Sequence, residues 1–195
     1  MLTAPTGQDG PWHSPEDLAT SAARLLADQG PAGLGRFDDY PGPLYAVDPA
    51  GRVSYFNRAC TTLAGRTPQL GIDLWCVGLA LPSDSGAPTD PVIEPMADAV
   101  REARSVRGIE AVFERPDGER IRVRPYPTPA LDEDGIVCGA INLMVPLDGT
   151  LHDGLLATTQ RCRTLAKWVG DRSASESLLA MAAECEAQAK VLRPS

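Results

Sequence analysis

The sequence predicts an α+β fold: a five-stranded antiparallel sheet with short helices on one face, preceded by an amphipathic helix and followed by a helical hairpin. Three observations predict it. Five short segments of strand character are joined largely by turns that end in glycine, two before and three after a helical middle. The apolar period is near two inside this region and near 3.6 on either side of it. With 195 residues, 43% hydrophobic and 23% charged, the chain can bury one core and still carry extensions.

Residues 1–12 are polar and rich in Gly and Pro, and are predicted as a flexible N-terminus. Over 13–30 the chain reads as a helix. Ser14 stands at the N-cap, Pro15 at the first helical position, and Glu16 and Asp17 in the first turn. Leu18, Ala22, Leu25 and Leu26 form its apolar stripe, and Gly30-Pro31 ends it. Residues 31–43, PAGLGRFDDYPGP, are predicted as a linker.

Residues 44–147 form the sheet domain. A hairpin is expected from strands 44–47 and 53–56, joined by Asp48-Pro49-Ala50-Gly51. Asn57 is placed to cap a helix over 58–64, which Gly65 stops. Residues 66–90 are irregular, with an apolar run at Leu74-Trp75-Cys76-Val77. Pro91 is expected to open a helix with Ile93, Met96, Ala97, Val100 and Ala103 on one face. Strands 108–115, 120–128 and 136–145 follow, joined by acidic turns with late glycines. In the middle strand Ile121 and Val123 alternate with Arg120, Arg122 and Arg124, so one face is apolar and one wet. Glu110 and Glu114 are the expected cross-strand partners of those arginines.

Residues 148–195 read as an αα-hairpin with narrow, small-residue seams. Leu151, Leu155, Thr158, Cys162, Leu165 and Val169 make one seam; Leu178, Ala182, Cys185, Ala189 and Leu192 make the other, with Ser173 as the second cap. Each helix alone is marginal in water, so the seams must bury against each other, the sheet or a second chain. A homodimer held by the flanking helices is the expectation taken from the third of these.

The net charge of −8 argues against nucleic acid and against anionic membrane surfaces. No basic start with an apolar run marks a secretory signal, and no stretch approaches the ~20 apolar residues of a membrane span. Five scattered cysteines without a CxxC suit free thiols in a reducing cytoplasm.

The stretches YAVDPAGRVSYFNRAC at 45–60 and PDGERIRVRPYPTPALDEDGIVCGAINLMV at 116–145 resemble a PAS domain. Trp75-Cys76-Val77, Pro95-Met96-Ala97, the Glu114–Gly118 turn and Pro125-Tyr126-Pro127-Thr128-Pro129 are similar to PAS modules preceding bacterial sensor histidine kinase cores. Two departures stand out. Glu94 occupies a position where those modules often have cysteine. Pro146-Leu147-Asp148-Gly149-Thr150 replaces the usual Asp-Ile-Thr, which implies an altered or looser connection to the hairpin. Only 50 residues follow Val145, too few for an ATP-binding domain, and no Gly-rich nucleotide box is present. The resemblance thus implies a stand-alone cytosolic PAS regulator, with a histidine kinase or response regulator as partner.

Trp75, Met96, Phe113, Tyr126, Asn142 and Met144 are the residues expected inside the sheet and its helical cover. They either line a pocket for a small apolar ligand, with Asn142 as its polar handle, or simply fill the core. The cofactor stays unspecified. Cys76 or Met96 could in principle ligate a haem iron, and neither His13 nor His152 lies in the PAS core. The Asn-Cys-Arg-Phe-like motif of flavin-binding LOV domains does not occur around Cys60. His152-Asp153, opening the hairpin, is similar to the phosphoacceptor pair of some histidine kinases, which makes His152 the candidate for a phosphorelay served by a kinase in trans. No nucleophile with a base, no framed pair of carboxylates and no metal cluster emerges, so no enzyme is expected.

Overall fold

The computed structural model describes residues 14–78, 95–169 and 171–192. Helix α1 spans Pro15–Gln29, with the Ser14 hydroxyl accepting from Asp17 N at 3.1 Å and Gly30 closing the helix at φ 66°. The residues expected to be a linker are instead packed. Pro31–Phe37 is a 3₁₀ helix, and Leu34, Phe37 and Tyr40 are buried. Their spacing of three is the 3₁₀ period, which puts all three on one side. The Phe37 and Tyr40 rings meet edge to face at 6.4 Å.

The sheet contains β1 (Leu44–Val47), β2 (Val53–Phe56), β3 (Ala111–Glu114), β4 (Arg120–Leu131) and β5 (Val137–Pro146), all antiparallel in the order β2-β1-β5-β4-β3. This is the expected α+β sheet. Helices α2 (Arg58–Ala64) and α3 (Pro95–Glu102) lie between its two hairpins in sequence. The predicted start of α3 at Pro91, with Ile93 and Glu94, lies outside the described residues. β3 is shorter than predicted and β4 longer. The prolines at 125, 127 and 129 are tolerated because they face the edge that β3 leaves uncovered. The Pro127 carbonyl turns that way, accepting from Val106 N at 3.1 Å, so no ladder bond to β5 is lost and the open edge is blunted.

The short helices cover one face of the sheet, as expected, and the flanking helix α1 covers the other. Tyr45, Val47, Val53, Val123, Ala140 and Met144 turn to the inner face, against Cys60, Leu63 and Ala64 of α2 and Met96 of α3. Leu44, Ala46, Tyr126, Ile141, Leu143 and Val145 turn to the outer face, against Leu18, Ala22 and Leu26 of α1.

Helices α4 (Thr150–Trp168) and α5 (Arg172–Val191) form the hairpin, and Leu155, Ala189, Val191 and Leu192 join the outer-face core. The cap of α5 is Asp171, which accepts from Ala174 N at 2.8 Å, rather than Ser173. The α4 seam runs through Leu155, Thr159, Cys162 and Ala166, displaced from the predicted line; Leu165 and Val169 remain 49% and 38% exposed. Small residues let the backbones approach closely enough for Thr159 Oγ to reach Ala182 O (3.4 Å) and Ser175 Oγ to reach Ala166 O (3.0 Å). A leucine at Thr159 or Ala166 would hold them apart. The connection from β5 is tied rather than loose: Leu147 N donates to Arg122 O at 2.9 Å, and Gly149, at φ 77°, turns the chain into α4.

Candidate functional site

Alternation along β5 decides which predicted residues meet. Asn142 and Met144 are in step and face inward, opposite Tyr45 of β1 and Pro125 and Pro127 of β4. Met96, Phe113 and Met144 are brought together in the inner core. Trp75 is half-buried at its rim. It has φ 62°, and its ring lies over Gly51, where an added Cβ would come within 2.2 Å of the indole. Gly51 itself is at φ 81°, a turn conformation that also favours glycine. Tyr126 is the one predicted site residue on the wrong face: it belongs to the outer core with α1. Ile121 and Val123 face inward, so an even-numbered residue of β4 must face outward.

Asn142 is a polar group inside an apolar core, and the protein already satisfies it. Its Oδ1 accepts from Tyr126 N at 3.0 Å, and its Nδ2 donates to Tyr45 Oη at 3.1 Å; that hydroxyl donates on to Trp75 O at 2.9 Å. The chain of bonds ties β4, β5, β1 and the Trp75 loop together across the inner face. Phe113 closes on Gly78, where a Cβ would lie 2.3 Å from its ring.

Two polar residues do more than their sequence positions suggest. Asn57, 1% exposed, caps α2 as expected, accepting from Cys60 N. It also accepts from Leu44 N and donates towards Phe37 O, Tyr40 O and Gly42 O at 2.8–3.2 Å. It thereby joins the 3₁₀ segment, the start of β1 and α2. Arg107, in the loop before β3, donates to Val106 O, Pro127 O and Thr128 Oγ and stacks 5.7 Å from the Tyr126 ring. Burial lowers its guanidinium pKa. The capping position announced Asn57, whereas nothing local announced Arg107.

The arginine stripe is partly as predicted. Arg122 and Arg124 both bind Glu110, at 2.6 and 3.0 Å, and Arg122 first, then Arg124, hold its carboxyl below the usual range. The Glu114 side chain lies outside the described residues. Cys60 is fully buried, and burial drives its thiol pKa upward; burial does the same for Cys138 and Cys185. None of these three is an activated thiolate. His152 sits in the first turn of α4, 21% exposed, with Nδ1 3.1 Å from Asp153 Oδ1. His13 lies outside the described residues. No group of three or more potential metal ligands occurs among the described residues.

A cleft of about 530 Å³ opens at the end of the sheet where β5 leaves for α4. Tyr40, Leu63, Ile121 and Pro146 line it, together with Arg58 and Arg115.

A family model described as the PAS fold matches residues 37–148. The chain belongs to the PAS fold family. Among solved structures, the PAS region and its flanks are similar to the Rhodobacter sphaeroides LOV protein (15% identity, 88% of this chain and 94% of that one, TM-score 0.43). A PAS domain from Colwellia psychrerythraea is 20% identical over 55% of this chain and 87% of its own, with TM-score 0.44. The PAS domain of the fruit-fly ELK potassium channel is 13% identical over 57% and 91%, with TM-score 0.43. No curated protein matches the sequence. Among the described residues no helix is long and apolar enough to cross a membrane.

Proposed function

We propose that this chain is a regulatory PAS module of signal transduction that works by binding rather than catalysis and reports through the placement of its terminal helices. One observation carries the reading. Successive residues of β5 serve the two faces in turn: Asn142 and Met144 belong to the inner core, while Ile141, Leu143 and Val145 support α1 and the end of α5. Close-packed interiors respond to strain by switching between discrete packings. A small apolar ligand, or a partner, that favours one inner packing therefore shifts the population of helix arrangements outside. In this reading the helices also hold a homodimer in the cytoplasm, and a histidine kinase or response regulator reads their position.

Native mass spectrometry of the full chain and of a chain lacking residues 148–195 tests it. The full chain is expected as a dimer that retains any bound molecule, and the truncated one as a monomer. A dimer that survives truncation moves the contact to α1; a monomer in both forms contradicts the dimeric reading. The absorption spectrum of the same sample reads out haem or flavin directly.

A second reading, phosphorelay through His152, is supported by its partly exposed ring beside Asp153 at the start of α4. Labelled phosphoryl transfer from a kinase partner must then disappear in His152→Gln; label that persists in the variant ends it.

A further inference from the structure

The inner core uses its polar handle internally, since Asn142 is bonded to Tyr126 N and Tyr45 Oη. The cleft at the end of the sheet is built differently. Its volume of about 530 Å³ falls in the range of small-ligand sites. Leu63 and Ile121 connect its lining with the inner core, Pro146 lies opposite Val123 of β4 in step with Met144, and Tyr40 belongs to the outer core.

The two arginines on its walls are held unequally. Arg115 is fixed: Nε donates to Leu63 O and Nη2 to Thr62 O, both at 2.8 Å, which satisfies the last carbonyls of α2. Its Nη1 pairs with Glu119, whose side chain is 56% exposed. Arg58 pairs with Asp39 at 2.6 Å, with the two side chains 83% and 79% exposed. Ion pairs so exposed contribute little and exchange readily. A carboxylate delivered by an apolar body can replace Glu119 or Asp39 without moving the Arg115 guanidinium, which is already in position. Asp39, Glu119 and Asp148 share the lining with the two arginines, so a neutral ligand, having no charge to exchange, would leave the existing pairs in place.

We propose that this cleft binds a small apolar carboxylate, its chain on Leu63, Ile121 and Pro146 and its head group between Arg58 and Arg115. The proposal rests on the PAS-module reading and gives it a ligand class and an entry point. Pro146 and Asp148 border the cleft immediately before Gly149 turns the chain into α4, so occupancy acts on the hairpin junction.

The test is titration of the isotopically labelled full chain with octanoate, octanol and octylamine, followed by amide NMR. Octanoate is expected to give saturable shifts at Leu63, Ile121 and Leu147, whereas octanol and octylamine do not. Arg58→Met, at an exposed position, and Arg115→Met are each expected to weaken octanoate about tenfold or more. Arg58→Met guards against a fold defect in Arg115→Met, because it removes only a surface pair. Equal binding of octanol, shifts confined to the inner core, or unchanged affinity in Arg58→Met overturns the carboxylate site. Binding as predicted with no accompanying shift in α4 or α5 leaves the site standing and counts against the signalling reading instead.

Discussion

The two faces of the sheet are closed by different means. The inner face is covered by α2 and α3, which lie between the strands in sequence, and a chain of hydrogen bonds from Asn142 through Tyr45 to the Trp75 carbonyl crosses it. The outer face is covered by the ends of the chain. Leu26 of α1 packs at Gly139, where an added Cβ would lie 3.2 Å from its Cδ2; Leu192, just past α5, packs at Gly42 beside Leu143. The inner cover can be remodelled only by disturbing the sheet itself. The outer cover is made of separate helical segments, α1 on β4 and β5 and the end of α5 beside Leu143 of β5, which is the arrangement a readout needs.

The largest effect is expected where the faces are joined. Asn57→Ala removes the side-chain partner of the Leu44 amide and of the Tyr40 and Gly42 carbonyls, all at buried positions, while the Cys60 amide and Phe37 carbonyl keep backbone partners. Leaving several buried groups unsatisfied should cost about 3 kcal/mol or more. Urea denaturation should show a lower midpoint at an unchanged slope; a loss under about 1 kcal/mol would mean that the two covers are held independently. Asn142→Leu sharpens the inner side. As a structural tie, Asn142 should cost about 1–3 kcal/mol on replacement. A variant as stable as the parent would instead mark it as a free handle kept for a ligand.

The smallest effect is expected on the wet part of the outer face. Arg122 and then Arg124 hold the Glu110 carboxyl below its ordinary value. A depressed carboxyl stabilises the fold above its unfolded pKa, and that contribution is lost as pH falls through the lower folded value. Because the group is exposed, stability should barely register this. An NMR titration should show the Glu110 midpoint below the usual carboxylate range, rising towards it in Arg122→Gln.

Much of this architecture is legible locally. Strands with a period of two and turns ending in glycine place all five strands, and Ser14, Pro15 and Asn57 mark two helix starts. Misplaced features depend on geometry beyond the local pattern or on parity. Tyr126 is out of step with Ile121 and Val123, so its outward direction was readable from the register. The buried 3₁₀ segment was hidden by its Gly and Pro content, although Leu34, Phe37 and Tyr40 recur every three residues. The hairpin seam shifted to Thr159 and Ala166 because close helix approach favours small residues over the larger side chains that hydropathy selects. Arg107 had no sequence signal at all: its partners at Pro127 and Thr128 come from the far side of a hairpin.

The central claim is that α1 and the end of α5 are coupled through β5. A double-mutant cycle of Leu26→Ala and Leu192→Ala, followed by urea denaturation, measures that coupling directly. The two side chains rest at separate places on the sheet, where independent sites add to within about 0.5 kcal/mol. The account predicts a coupling energy larger than that, with the second truncation costing less once the first has loosened the shared strand. Strict additivity would show two helices that merely share a surface, and would contradict it.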